Sequence, residues 1–222
     1  MASPNSLYES AYNGDFDLIK TQVDDNKSLI KQNDENGRSL LHWAAISGNL
    51  KLVTYLTEMG SEIDACEDTD ATPLVLASSA GRFEVCTFLI KQKADVNHRT
   101  SQGHSALQYA ASKNWLNICI LLIENNADVN IVDIRGATAL HRAASKGNLD
   151  VVKYLLSIDN INLNCKDSYG NTPLHLACEE DRQEEAKLLV QRGARTDMQN
   201  RDKSTALDLC SIGLRRALTT NN

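Results

Sequence analysis

Three histidines are the residues of this chain whose type and spacing could most readily support chemistry. His42, His141 and His175 each end a similar tetrad, SLLH, TALH and TPLH. Imidazole is a frequent metal ligand and the usual acid–base group near neutral pH. No cysteine or carboxylate recurs beside these histidines at the spacing of a ligand set, so the sequence predicts no metal site.

The six cysteines form no pattern that is typical of disulfides or zinc. No CxxC pair occurs, and Cys86 and Cys119 occupy equivalent positions 33 residues apart. We therefore expect reduced, buried cysteines that act as small apolar residues. The chain also lacks a glycine-rich phosphate loop and a nucleophile elbow, so we expect no enzyme activity, no catalytic residue and no cofactor.

One cluster of charges is locally unfavourable. Glu179, Glu180 and Asp181 place three carboxylates where a helix is expected to end. That end of a helix disfavours anions by about 0.3–1 kcal/mol each. A local cost without a local benefit indicates a binding role, and the negative charge indicates a basic partner.

The helices that position these residues are encoded most clearly in residues 170–194. The dipeptide GN predicts a turn, Thr172 a helix N-cap, and Pro173 the first helical position. A second, amphipathic helix follows and is expected to end at Gly193. One such unit cannot bury its own apolar side chains, so it requires neighbouring copies of itself.

Copies recur along the chain with a nearly constant period. The residue that opens the first helix recurs at intervals of 33, 33, 33, 34 and 33 residues, as Ser39, Thr72, Ser105, Thr138, Thr172 and Thr205. This period, with the signature T-P-L-H-x-A, resembles the ankyrin repeat family. The resemblance implies an all-α repeat solenoid of about seven helix–turn–helix units, with β-hairpin fingers projecting between them.

We expect residues 1–222 to form a single ankyrin-repeat domain. Residues 1–37 match the pattern poorly and predict an N-terminal cap repeat, residues 38–200 contain five regular repeats, and residues 201–222 predict a C-terminal cap repeat. The first and last units are thus expected to be degenerate.

Composition restricts the partners. A net charge of −6 and a pI near 5.4 argue against a nucleic-acid-binding face. No apolar run approaches the roughly 20 residues of a membrane span, and no signal peptide is expected. We predict a monomer in the cytoplasm, the nucleus or both.

The family resemblance also implies where a partner binds. Ankyrin domains use the finger tips and the ends of the first helices, which together line a concave face, and the histidine of each tetrad bonds the neighbouring finger. The implied partner-binding residues at the finger tips are Glu35, Arg38, Asp68, Asp70, Arg135 and Tyr169. Those on the first helices are Trp43, Lys113, Arg142, Lys146, Glu179 and Glu180.

Several of these positions also have a simpler interpretation. Lys113 and Lys146 lie at expected helix C-termini, where a cation is favoured in any protein. Asp34, Asp133 and Asp167 recur at one turn position and are predicted to cap the backbone. A position that accepts arginine in one repeat is expected to be partly exposed, and it holds Trp43, Leu76, Tyr109, Arg142 and Leu176.

Four segments resemble a narrower family, the gankyrin-like proteins, which are subunit 10 of the proteasome's non-ATPase set. The segments are LLHWAAISGNL, AASKNWLNICILLIENNADVN, HRAASKGNLDVVKYLL and GNTPLHLACEEDRQEEAKLLVQRGA, and the likeness extends over the whole chain. It implies an assembly chaperone of the 19S regulatory particle that binds the C-terminal domain of one base ATPase. The implied contacts are Arg38, Trp43, Lys113, Arg142, Glu179 and Glu180.

The alternative function is a cell-cycle regulator that binds a cyclin-dependent kinase, the retinoblastoma protein or a ubiquitin ligase; a generic scaffold is a third. The family is described as binding the retinoblastoma protein through L-x-C-x-E, which Leu176, Cys178 and Glu180 match. Residues two apart on a helix lie about 200° apart, so Cys178 is expected to face away from the other two. A freely accessible motif is therefore not expected.

Overall fold

The computed structural model describes residues 4–219, and its regular elements in that range are helices. They fall into two compact units. Among the described residues, the first unit comprises 4–106 and 124–126, and the second comprises 107–123 and 127–219.

The first unit is built from α1 (Pro4–Asn13), α2 (Phe16–Asp25), a 3-10 helix (Lys27–Lys31), α3 (Leu40–Ser47), α4 (Leu50–Glu58), α5 (Pro73–Ser79) and α6 (Phe83–Lys91). The first helices of successive repeats stack, so that α3 packs on both α1 and α5. The second helices form the adjoining layer, in which α4 contacts α2 and α6.

The second unit continues the same pattern with α7 (Ala106–Ser112), α8 (Leu116–Glu124), α9 (Ala139–Lys146), α10 (Leu149–Leu155), α11 (Pro173–Glu179), α12 (Gln183–Gln191), α13 (Ala206–Leu209) and α14 (Ile212–Thr219). Here α11 packs between α9 and α13, and α12 contacts α10 and α14. The helix–turn–helix repeat predicted from the sequence is thus confirmed.

The predicted helix starts are confirmed at atomic level. The side chains of Thr72, Thr138 and Thr172 each accept a hydrogen bond from the backbone N–H three residues later. Such a bond satisfies one of the four N–H groups that a helix start leaves unpaired. Ser39 and Thr205 also occupy N-cap positions.

The first helices end in the left-handed conformation that their glycines predicted. Gly48 and Gly147 have φ of 84° and 73°, and the residues that replace glycine at this point, Asn114 and Asp181, have φ of 64° and 50°. Asn and Asp tolerate this region better than other non-glycine residues. The substitutions therefore preserve the turn between the paired helices.

The core lies between the two helix layers of each unit. On the first helices, the small residues Ala44, Ala77, Ala110, Ala143 and Ala177 are fully buried. On the second helices, the apolar pairs Leu52-Val53, Val85-Cys86, Ile118-Cys119 and Val151-Val152 are likewise buried. Alanine on the first helices allows close helix packing, because its side chain fills little space.

The prediction of reduced, buried cysteines is confirmed in part. All six cysteines are free thiols, and burial raises the pKa of Cys86 to about 11 and that of Cys119 to about 12. The expectation that all six are buried is wrong: Cys66 is exposed, and Cys165 and Cys210 are half-buried. These three lie outside the paired helix positions that form the core.

Within the described range 4–219, no helix is both long and apolar enough to cross a bilayer. Over the same residues, no three or more His, Cys, Asp or Glu side chains are grouped so as to hold a metal ion.

Candidate protein-interaction site

The histidines of the tetrads join each first helix to the next finger. His42, His141 and His175 are fully buried. Each Nδ1 accepts the backbone N–H of its own N-cap residue, at 3.0, 3.1 and 3.2 Å, so Nε2 carries the proton. In His141, Nε2 donates to the Asn171 carbonyl at 3.1 Å, and in His175 to that of Ser204 at 3.2 Å. The predicted bond to the neighbouring finger is confirmed.

The same position in α7 is filled by glutamine. Gln108 Nε2 donates to the carbonyl oxygen of Ala137 at 2.6 Å, which is the bond that His42, His141 and His175 make in their own repeats. Burial lowers the pKa of all three histidines below the ordinary value of 6.5, although the hydrogen bonds to backbone carbonyls oppose that shift. The tetrad histidines are therefore neutral structural groups.

Each finger turn is shaped by an acceptor side chain at one repeated position. Asp133 Oδ1 accepts the backbone N–H groups of Arg135 and Ala137, at 2.8 and 3.0 Å. Asp34 and Asp167 make the equivalent pairs of bonds in their own fingers. The predicted capping role is confirmed.

In two of these aspartates, Asp34 and Asp133, the second carboxylate oxygen reaches the first helix. Asp34 Oδ2 accepts the Trp43 indole N–H at 2.9 Å, and Asp133 Oδ2 accepts an Arg142 guanidinium N–H. Burial opposes ionisation of Asp133, but the hydrogen bonds from Arg142 and the backbone outweigh it and lower the pKa. These bonds fix the side chains of Trp43 and Arg142 relative to the finger that precedes each helix.

Within each unit, neighbouring fingers are connected by single backbone hydrogen bonds. In the second unit, Ser168 N–H donates to the Arg135 carbonyl at 2.6 Å, and Arg201 N–H donates to that of Tyr169 at 2.9 Å. The approach is so close that a Cβ on Gly170 would lie 3.0 Å from the Arg201 nitrogen. Individual fingers are closed by backbone hydrogen bonds as well, such as that from the Asp133 N–H to the Ala137 carbonyl at 3.0 Å, and β-bridges join Asn33 to Ser39 and Gln199 to Thr205.

The second unit contains a groove of about 500 Å³ between its fingers and its first helices. Five of the sequence-predicted contact residues line it, namely Arg135, Arg142, Lys146, Tyr169 and Glu179. Further wall residues that were not predicted from the sequence include Asn200, Asp202 and Leu209. The signal for Asp202 was available, because it follows Asn200 as Tyr169 follows Asp167 in the preceding finger.

The groove has basic and acidic residues in different repeats. Arg135 belongs to the finger before α9, and Arg142 and Lys146 lie on α9 itself. Glu179 lies at the end of α11, and Asp202 lies in the following finger. Between them Tyr169 is 61% exposed, and an exposed aromatic ring among charged groups is typical of an interaction surface.

The remaining predicted contact residues lie outside this groove. Lys113 and Glu180 are exposed residues of the second unit, and Glu180 lies 3.9 Å from Arg182. In the first unit, Glu35, Asp68 and Asp70 are exposed.

Arg38 and Trp43, also in the first unit, are half-buried and contact each other. The position shared by Trp43 and Arg142 is half-buried in each regular repeat, as predicted.

The repeats identify the family. Sequence models described as "Ankyrin repeats (3 copies)" match residues 7–100 and 94–167, and one described as "Ankyrin repeats (many copies)" matches residues 155–210. The chain belongs to the ankyrin repeat family. The crystal structure of the human ASB11 ankyrin repeat domain superposes with a TM-score of 0.86 at 24% identity, covering 100% of this chain and 98% of that one. This similarity shows the fold.

Curated relatives match over shorter segments. The 26S proteasome non-ATPase regulatory subunit 10 of Rattus norvegicus is 42% identical over 63 residues, and that of Homo sapiens is 41% identical over 63 residues. Those matches cover 28% of this chain and 27% and 28% of the two relatives, so the similarity spans about a quarter of their length. Palmitoyltransferase akr1 of Schizosaccharomyces pombe is 32% identical over 69 residues, which is 11% of that protein.

Ankyrin repeats mediate protein–protein interaction. The matched portion of the proteasome subunits is smaller than the whole-chain likeness that the sequence segments suggested. The retinoblastoma-type motif has the geometry expected of a helix: Cys178 is 1% exposed, whereas Glu180 is exposed.

Proposed function

We propose that this protein is a non-enzymatic assembly chaperone of the proteasome base that binds the C-terminal domain of one base ATPase. The observation that carries the proposal is the groove of the second unit, where five contact residues implied by the ankyrin resemblance lie together. Two of them, Arg142 and Glu179, are also implied by the gankyrin-like resemblance. The segment similarity to regulatory subunit 10 supports the choice of partner. We also propose that the protein acts as a monomer in the cytoplasm and the nucleus.

The charges of the groove specify what the partner must present. Arg135 and Lys146 require acidic groups opposite α9, and Glu179 and Asp202 require basic groups opposite α11 and the last finger. A helical domain that carries both signs on one face meets this requirement. Complementary charges raise the association rate and select against wrong partners.

The test is calorimetric binding of the C-terminal domains of the six base ATPases to the full chain at low and high salt. We expect one domain to bind, with an affinity that falls as the salt concentration rises. The variants Glu179→Lys/Asp202→Lys and Arg135→Glu/Lys146→Glu should each weaken binding about tenfold or more.

A matched control keeps the size of the charge change but moves it out of the groove. Asp150 and Asp159 are exposed in the second unit and do not line the groove. Asp150→Lys/Asp159→Lys should therefore bind like the unaltered chain. Failure of all six domains to bind would overturn the proposal, and binding that survives both groove reversals would remove the groove from the interface.

A further inference from the structure

The first unit contains a separate pocket of about 330 Å³ where α1 faces the first finger. Its walls are Tyr8, Glu9, Tyr12, Asp34, Glu35, Asn36 and Trp43. Three of these residues are aromatic, three are acidic and none is basic. Aromatic faces and carboxylates share one chemical preference, which is for a cation.

The aromatic walls are held in place by their own contacts. Tyr12 packs edge-to-face on Trp43, with ring centroids 5.9 Å apart and an interplanar angle of 87°. The Trp43 indole is fixed further by its hydrogen bond to Asp34. Tyr8 is buried, and burial together with nearby Asp34 raises its pKa, so its phenol stays neutral. A ligand would meet preformed walls.

Of the three carboxylates in the pocket, Asp34 has a structural role, and Glu9 and Glu35 lie at the rim. Asp34 is occupied by backbone N–H groups and the Trp43 indole. Glu9 and Glu35 are exposed, and among the described residues neither makes an ion pair. Two negative charges thus remain available beside the aromatic walls.

Arg38 shows which cation suits these surroundings. Its guanidinium carbon lies 5.0 Å from the Trp43 ring centroid, and its Nε lies 3.4 Å from Glu67 Oε2. A planar guanidinium stacks on aromatic rings, pairs with carboxylates and is more weakly hydrated than an ammonium. The chain therefore already places one guanidinium between an indole and a carboxylate.

We propose that this pocket binds an arginine side chain of a partner polypeptide, with the guanidinium against Tyr12 and Trp43 and paired with Glu9 and Glu35. The pocket lies wholly in the first unit and the groove wholly in the second. The inference does not depend on the proteasome assignment, and its test uses peptides rather than an ATPase domain.

The test is an NMR titration of the isotope-labelled full chain with acetyl-Gly-Gly-Arg-Gly-Gly-amide. The chain has two tryptophans, so the indole N–H of Trp43 reports on the pocket and that of Trp115, in the second unit, is an internal control. We expect a saturable shift of the Trp43 resonance without a shift of Trp115. The norleucine peptide should cause no shift, and the lysine peptide should bind more weakly.

Paired variants assign the binding to the rim carboxylates. Glu9→Gln/Glu35→Gln should weaken the arginine peptide about fivefold, the effect of losing two exposed ion pairs together. Glu58→Gln/Glu84→Gln makes the same charge change at exposed first-unit positions outside the pocket and should leave binding unaltered. Absence of the Trp43 shift, equal binding of the norleucine or lysine peptide, or equal effects of the two double variants would overturn the proposal.

Discussion

The buried histidines show how one residue type can resemble a functional cluster and still be structural. Their equal spacing is a property of the repeat, because each sits at the same point of its own first helix. Protonation would place a hydrogen on Nδ1, which could then no longer accept the N–H of the N-cap residue. Two donors would face each other without an acceptor between them. Histidine is used here as a neutral group that both accepts and donates.

This arrangement predicts a pH-dependent stability. The folded pKa of each histidine lies below its unfolded value near 6.5, so the unfolded chain binds more protons in that window. The stabilising contribution is complete above pH 6.5 and is lost as the pH falls from there through the folded pKa. Each histidine contributes up to about 1.4 kcal/mol per pH unit to the slope.

Urea unfolding between pH 8 and pH 5 measures that slope. The triple variant His42→Gln/His141→Gln/His175→Gln should show a shallower loss of the free energy of unfolding below pH 6.5, because glutamine makes the same bond in α7 without titrating. The unaltered chain is the reference over the same pH range. An equally steep loss in the variant would contradict this prediction and assign the slope to other groups.

At the scale of the helix, repeated turn positions differ in how well their residue fits the backbone. The turn after the second helix holds Gly60, Lys93, Asn126 and Gly193 in different repeats. All four have positive φ, and Lys93 has φ of 71°. A lysine in the left-handed region costs roughly 1–2 kcal/mol relative to the right-handed one, and glycine avoids that cost.

Lys93→Gly is therefore expected to raise the free energy of unfolding by about 0.5–1 kcal/mol, after allowing for the greater chain entropy of glycine in the unfolded state. Lys91→Gly, at the last residue of α6, is the matched control and should lower it by about 0.5–1 kcal/mol. Chemical denaturation of both variants measures the difference. A lower stability of Lys93→Gly would show that its side chain makes a contact worth more than the backbone strain.

Side chains at the start of a second helix also bond to the preceding repeat, which was not predicted from the sequence. Asn148 Nδ2 donates to the carbonyls of Ala111 and Ser112 at 2.7 and 3.1 Å, and Arg82 Nε donates to that of Ile46 at 2.8 Å. Each side chain satisfies the carbonyl groups that the previous first helix leaves unpaired at its end. Stacking thus joins repeats by polar bonds as well as by apolar packing.

At the scale of the molecule, the stack of the first unit depends on its degenerate first repeat. Helix α1 packs on α3, and Ala11 is fully buried while Asn13, two residues later, is exposed. Helix α3, on which α1 packs, is largely apolar, and its Leu40, Leu41, Ala44 and Ala45 are fully buried. The polar outer side of α1 therefore protects an apolar repeat surface from water.

Ala11→Asp is expected to undock α1, because an unpaired buried carboxylate costs several kcal/mol. The chain should then unfold at a lower urea concentration, followed by the indole N–H resonance of Trp43, and it should associate in light scattering through the uncovered face of α3. Asn13→Asp adds the same charge at an exposed position and should behave like the unaltered chain. Equal behaviour of the two variants would show that α1 does not protect the stack.

The repeat could be predicted from the amino-acid sequence, because N-caps and left-handed helix ends act within one unit and recur with a period of about 33 residues. The sequence also assigned the buried faces, the turn aspartates and the half-buried position of Trp43 and Arg142, since each follows from periodicity or local hydrogen bonding. Twelve contact residues were inferred by family analogy, and they remain predictions.

Which of those residues share one surface depends on how the repeats stack, and it could be seen only in the folded chain. Arg135, Lys146 and Glu179 line one groove, whereas Lys113 and Glu180 lie outside it. The pocket of Tyr8, Tyr12 and Trp43 could not be read from the chain, because its walls come from α1, the first finger and α3. The physical reason is that contacts between repeats depend on how each helix stacks on the next. A repeat pattern in the sequence reflects only the hydrogen bonds and packing within one unit.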